Sequence, residues 1–231
     1  MAKGKKAAVF LDRDGVVIEE VNYLSRPDQL KLIAGSARAI VRLRQAGFKV
    51  VVVTNQSGVA RGYLTLKTLR QVHRLLGRRL AEAEQGAKID GLYFCPHLPA
   101  QAGKKGCSCR KPELGMLKKA QKRFHLDLAR SFFVGDTTTD TLTAKRAGCT
   151  AVLVRTGKAG RDQVHTARPH KTVKDLAAAA DWIIGKTSPF RGPRPKNVRG
   201  PEGPGGPMRN DTQRTCRHYS QRAYPTAWSP L

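Results

Sequence analysis

The run Lys49-Val-Val-Val-Val-Thr54-Asn55 constrains the fold more than any other stretch of the chain. A short apolar run, rich in Val and bounded by polar residues, suits a strand buried on both faces; a half-solvated strand would alternate apolar with polar positions. Three further segments read the same way, so strands are expected at Ala7 to Leu11, Phe48 to Val53, Ser131 to Val134 and Thr150 to Val154. Helical patterns lie between them: Ser36 to Ala46, ending at Gly47; about Thr65 to Glu84; about Gly115 to Phe124; and about Thr139 to Ala147, ending at Gly148. A last helix is expected from about Asp175 to Ile184, because Leu176, Ala179, Ala180, Ile183 and Ile184 share one face. Strands alternating with helices predict an α/β protein, a parallel sheet covered by helices.

The pattern stops at Gly185. From Lys186 onward, Pro, Gly and Arg recur without apolar periodicity, so residues 1–185 are expected to form the domain and 186–231 a basic, disordered tail. Nine Lys/Arg against two Asp/Glu give that tail +7 of the formal +26. So strong a positive balance could favour nucleic acid, an anionic surface or small phosphorylated substrates without selecting among them. The N-terminus has no secretory pattern, and no uninterrupted apolar stretch is long enough to span a membrane. A cytoplasmic protein with reduced thiols is therefore expected, in which clustered cysteines point to metal more than to disulfides.

The chemistry gathers where the strands end. The first strand delivers Asp12 and Asp14 to a carboxyl-terminal sheet edge, where open parallel sheets bind ligands. Asp-x-Asp-Gly alone also reads as a simple turn. The second strand delivers Thr54 and Asn55, whose hydroxyl, amide and nearby backbone N–H groups can hold an anion's oxygens; a plain strand-to-helix turn, with Ser57 or Thr65 as a helix cap, reads as well there. The later strand delivers Asp136, with Asp140 one turn on, where a helix N-terminus alone would favour a negative charge. Each bland explanation works singly, but three strands placing such groups at one edge by accident is strained. Together they suffice for phosphoryl transfer: Asp12 and Asp136 form a hard, oxygen-rich site suited to Mg²⁺, one carboxylate attacks and another donates a proton.

In order and spacing, Asp12-Arg13-Asp14, Thr54, Lys111 and Gly135-Asp136-Thr-Thr-Thr-Asp140 resemble the signature of the haloacid dehalogenase superfamily of phosphohydrolases. The resemblance implies a three-layer Rossmann-like fold. It makes Asp12 the nucleophile, Asp14 the acid that then activates water, and Thr54 and Lys111 binders of the phosphoryl group. Mg²⁺ would be held by Asp12, the Asp14 carbonyl and Asp136, with Asp140 in support.

Cys95-x-His97 and Cys107-x-Cys109 offer three thiolates and an imidazole, a complete tetrahedral set for a structural Zn²⁺. Reduced thiols acting as small hydrophobes are the alternative, which suits Cys149 beside a strand and suits the cluster poorly; Cys216, in the tail, is an exposed accident on that view. Arg110 and Lys111 follow directly, so a zinc-pinned loop would fix two cations near the phosphate site. The blocks "FLDRDGV", "VVVTNQSGVARGYLT", "YFCPHLP", "CSCRKPELGML" and "FFVGDTTTD" narrow the resemblance to the D-glycero-D-manno-heptose 1,7-bisphosphate 7-phosphatase family, with histidinol-phosphate phosphatases as relatives. This implies a phosphatase acting on a small phosphorylated sugar; the absence of an obvious large cap insertion in the sequence suggests a monomer with an open site. Arg110 would contribute to recognition, with Asn55, Gln56, Ser57 and Arg61 at the same mouth. Some relatives carry Lys where this chain has Thr137. The same motifs serve histidinol phosphate, and polynucleotide 3′-phosphatases share Asp-x-Asp and Thr-Asn-Gln. Aromatics at 6% of the chain leave few stacking platforms for a nucleic-acid cleft, and intact catalytic positions argue against a relic fold that merely binds nucleic acid.

Overall fold

The computed structural model describes residues 5–100 and 106–187; the expected tail and Cys216 lie outside them, apart from Lys186 and Thr187. Six parallel strands form one sheet: β1 (Ala8–Leu11), β2 (Lys49–Asn55), β3 (Gly91–Cys95), β4 (Phe132–Gly135), β5 (Thr150–Val154) and β6 (Lys171–Val173). Their order is β3-β2-β1-β4-β5-β6. All four expected strands are present. β3 and β6 were not foreseen, and both are edges: β3 is only partly buried before Cys95 and β6 is three largely exposed residues, so neither shows a continuous apolar run.

The strand period of two sorts the core into two faces. Val9, Leu11, Val50, Val52 and Val134 point one way, against Ile40 and Leu43 of α1 (Ser36–Gln45), Leu76 and Leu80 of α2 (Leu66–Ala83), and Leu176 and Ile183 of α5 (Leu176–Thr187). Ala8, Phe10, Val51, Val53 and Phe133 point the other way, against Met116, Leu117 and Ala120 of α3 (Gly115–Phe124) and Ala144 of α4 (Thr138–Arg146). Cys149 packs on this second face, as expected of a small hydrophobe. Fully burying one such aliphatic side chain stabilises by about 1.5–3 kcal/mol, so two covered faces hold the sheet between two helical layers.

Helix ends follow their local chemistry. α2 begins at Thr65, whose side chain accepts from Thr68 N–H at 3.0 Å. α1 is followed by Gly47 at φ 90°, a left-handed position that a side chain would strain. α5 runs to Thr187, two residues beyond the boundary expected at Gly185. Between β1 and α1, residues 12–35 hold turns, two isolated β-bridges (Asp14 with Ile18, Ile18 with Leu32) and one 3₁₀ turn, Pro27–Gln29, so no large cap domain is inserted there.

The strand order reverses at β1, which has β2 on one side and β4 on the other. A crevice opens outside the carboxyl ends of strands at such a switch point. Asp12 follows the last residue of β1 and its N–H donates to Val134 O of β4 at 2.9 Å, so it stands at the crevice floor.

Candidate functional site

A cleft of about 820 Å³ lies above these strand ends, lined by Asp12, Asp14, Thr54, Lys111, Asp136 and Lys158 among others. Asp12 Oδ1 accepts from Arg13 N–H at 2.7 Å and lies 2.9 Å from Lys111 Nζ. Among the described residues, nothing donates to its Oδ2. Burial chiefly, and then the charges of Asp140 and Asp14, push the Asp12 carboxyl up to about 7 although Lys111 opposes them.

Lys111 is 4% exposed and sits between two acids, Asp12 and Asp140 Oδ1 at 2.7 Å, above the Phe133 ring. Burial works against its charge, but those two carboxylates outweigh it and hold the ammonium above its ordinary value. Two carboxylates leave the three-donor ammonium an N–H for another acceptor. Asn55 fixes the lysine's main chain: its amide donates to Lys111 O at 3.1 Å and accepts from Lys111 N–H at 3.0 Å. Asn55 therefore spends its amide on the loop.

Asp136 is held by backbone: Lys158 N–H donates to its Oδ2 at 2.7 Å and Gly160 N–H to its carbonyl at 2.7 Å. Gly15 and Gly157, both at positive φ, let two main chains close around this carboxylate, where any Cβ would strike Oδ2. Burial first, then Asp12 and Asp140, push Asp136 up to about 8. Thr137 caps α4; its hydroxyl donates to Asp140 Oδ2 at 2.6 Å, which aims the other oxygen of Asp140 at Lys111.

Carboxylate oxygens of Asp12, Asp136 and Asp140 all lie within 4.8 Å of one another. Three buried acids so close, two with raised values, would be relieved by a hard divalent cation, and the Asp14 carbonyl beside them accepts no hydrogen bond from the described residues. The donor set fits Mg²⁺. Asp14's side chain belongs to a different group: Arg13 grips it with Nη2 at 2.9 Å and Nε at 3.1 Å, while Gln56 Nε2 donates to its Oδ2 at 2.8 Å and to Thr54 Oγ1 at 2.9 Å.

The second cluster stands at the end of β3. Cys95 Sγ is 3.4 Å from His97 Nδ1, 3.5 Å from Cys107 Sγ and 3.3 Å from Cys109 Sγ; Cys109 is 3.4 Å from Cys107 and 3.3 Å from His97. Zinc bonds of about 2.3 Å to sulfur and 2.0 Å to nitrogen place tetrahedral edges at about 3.5–3.8 Å, close to these spacings. None of the four described cysteines is disulfide-bonded. Donation from Cys109 and from Arg110 N–H brings the Cys107 thiol down to about 7 against its burial, while burial holds Cys95 and Cys109 above the ordinary thiol value, so a cation is needed to make all three thiolates. The donor set fits Zn²⁺. The connecting residues 101–105 lie outside those described.

Arg110, half-buried, turns its guanidinium back to His97 O at 2.9 Å and lines the mouth of the cleft. Ser57 lines the same cleft, while Arg61 is exposed and lies 5.7 Å above the Tyr23 ring, which lines it too. Arg13 and His73 went unforeseen. Arg13 is 1% exposed and stands between the two motif aspartates; a long cation there gives no sequence sign of being buried.

A family model described as HAD-hydrolase-like matches residues 108–179. The chain is 41% identical over 194 residues to a D-glycero-D-manno-heptose-1,7-bisphosphate 7-phosphatase of Thermosynechococcus vestitus, with 80% of this chain and 98% of that one covered. It is 40% identical to the D-glycero-beta-D-manno-heptose-1,7-bisphosphate 7-phosphatase of Pseudomonas aeruginosa, over 78% of this chain and 98% of that one. Among solved structures, the D,D-heptose 1,7-bisphosphate phosphatase of Bordetella bronchiseptica, complexed with magnesium and phosphate, matches at a TM-score of 0.70 and 38% identity, covering 78% of this chain and 99% of that one. Identity at this level across nearly the whole length of these relatives assigns the chain to the D-glycero-D-manno-heptose 1,7-bisphosphate 7-phosphatase family of HAD-like hydrolases.

Proposed function

We propose that the chain is a cytoplasmic phosphatase that removes the 7-phosphate of D-glycero-D-manno-heptose 1,7-bisphosphate. The observation that carries this reading is one loop serving two sites: the Cys95/His97/Cys107/Cys109 cluster leads directly into Lys111, whose ammonium stands on Asp12. The family names supply the substrate class.

In this proposal the free Oδ2 of Asp12 attacks phosphorus in line with the departing sugar oxygen. Asp14 donates its proton to that oxygen as the P–O bond breaks, leaving an aspartyl phosphate and the sugar alcohol. Asp14, now a carboxylate, takes a proton from water; the water oxygen bonds to phosphorus, and inorganic phosphate departs while Asp12 is regenerated. Lys111 offsets charge on the phosphoryl oxygens and Thr54 offers its hydroxyl to them. Mg²⁺, held by Asp12, Asp136 and the Asp14 carbonyl, would supply further positive charge there, with Asp140 in support. Zn²⁺ held by the four cysteine and histidine donors would keep the Lys111 loop in place. Arg110 and the neighbouring Arg61 add cations near the mouth, an arrangement suited to a substrate bearing a second phosphate, and Gln56 and Ser57 line the same cleft. The reducing cytoplasm suits a thiolate metal site.

The test measures phosphate release side by side on heptose 1,7-bisphosphate, histidinol phosphate and a 3′-phosphorylated oligonucleotide. Preference for the bisphosphate by kcat/KM is the expected result; a higher value on either of the others refutes the assignment.

A further inference from the structure

We propose that His73 is a positioning residue for Asp14, acting through the buried guanidinium of Arg13; this rests on the phosphatase reading above. Arg13 heads the fully buried side chains by size, and a guanidinium so buried must find partners for a rigid fork of five N–H donors. Nε donates to Asp14 Oδ2 at 3.1 Å and more weakly to Oδ1 at 3.3 Å, while Nη2 donates to Asp14 Oδ1 at 2.9 Å and to Gln56 Oε1 at 2.9 Å. The plane of Asp14 is thereby set by the plane of Arg13.

What sets the plane of Arg13 at its far end is His73. Nη1 donates to His73 Nε2 at 3.2 Å, across 60 positions of sequence, from the β1 turn to α2. The imidazole in turn packs 5.4 Å from the Phe94 ring of β3, a contact that restrains where it can stand. An imidazole accepts at Nε2 only when that nitrogen carries no proton. Burial and the adjacent Arg13 charge bring His73 down to about 3, so it is neutral and can accept.

A satisfied half-buried histidine would also stabilise the fold, and stability alone would affect all substrates alike. Positioning Asp14 has a narrower consequence. An alkyl phosphate needs a proton on its leaving oxygen and an aryl phosphate with a stable phenolate does not, so only the former depends on where Asp14 stands.

The experiment compares kcat/KM, which reports the steps through transfer to Asp12, for heptose 1,7-bisphosphate and p-nitrophenyl phosphate in wild type, His73→Leu and His73→Gln. Leucine removes the acceptor; glutamine keeps one on its amide oxygen. With acid catalysis worth about 10²–10⁴-fold, His73→Leu should lose about tenfold or more on the alkyl ester and about twofold or less on the aryl ester, and His73→Gln should recover most of the loss. The ratio of the two values in one sample does not depend on the fraction of protein that folds. If the leucine variant yields no folded protein, His73→Met reads the same ratio. Equal losses on both esters, or none, overturn the positioning role and leave the phosphatase reading standing; a wild type inert toward both esters overturns the two together.

Discussion

Lys111 Nζ stands 2.9 Å from Asp12 Oδ1 and 2.7 Å from Asp140 Oδ1, joining the loop after β3 to the end of β1 and the first turn of α4. The cation is buried and its main chain is tied to Asn55, so its place depends on the fold of the loop that carries it.

Asp12→Asn should abolish turnover, because an amide neither attacks phosphorus nor forms the acyl phosphate. Asp14→Asn should lower kcat by about 10²–10⁴-fold, and Lys111→Met by about 10²–10³-fold. Steady-state phosphate release checks all three, and near-normal rates for either aspartate variant are incompatible with the aspartyl-phosphate route.

Zinc should be present at about one equivalent, since three thiolates and one imidazole complete a closed tetrahedral site. Cys109→Ser, or prolonged chelation, should release it, lower the melting temperature and reduce turnover together, because Lys111 follows Cys109 by two positions. Elemental analysis with calorimetry on one preparation decides this. Purified protein holding much less than an equivalent contradicts the structural site.

Magnesium binding should weaken as pH falls. In the metal-free site Asp136 is raised to about 8 and Asp12 to about 7, mainly by burial, and each must be deprotonated to hold a cation. Below those values protons compete, so apparent affinity should drop by about tenfold per pH unit for each proton displaced. Titrations monitored calorimetrically at pH 6, 7 and 8 on the order of these values read the slope and the released protons; an affinity flat over that span would count against a carboxylate site of this kind.

Asp90 gives a stability test far from the chemistry. Burial opposes its charge, but Lys49 Nζ at 2.7 Å, Val50 N–H at 3.0 Å and Arg44 outweigh that and hold the carboxyl below its ordinary value. A group depressed in the folded state contributes stability that is present above the unfolded carboxylate value and lost as pH falls through the folded one. Asp90→Asn should therefore cost about 1–3 kcal/mol at neutral pH, with the gap to wild type closing in acid. Denaturant unfolding of both proteins at neutral and acid pH measures it, and a gap that does not change with pH would remove the ionic explanation.

The sequence alone determined the central layer and the inventory of chemical groups. Val50 to Val53 must lie between two apolar layers, and three apolar runs lead into Asp12, Thr54 and Asp136. Both signals are local, carried by periodicity and by residue types a few positions apart. Edge strands β3 and β6 escaped because an edge needs no continuous apolar run. Only the tertiary structure decided partnerships. It spent the Asn55 amide on Lys111, turned Arg110 to His97 O, and buried Arg13 between Asp14 and a histidine of α2. The direction in which a long polar side chain turns is settled by which neighbours can satisfy it once water is excluded, and those neighbours are brought together by packing.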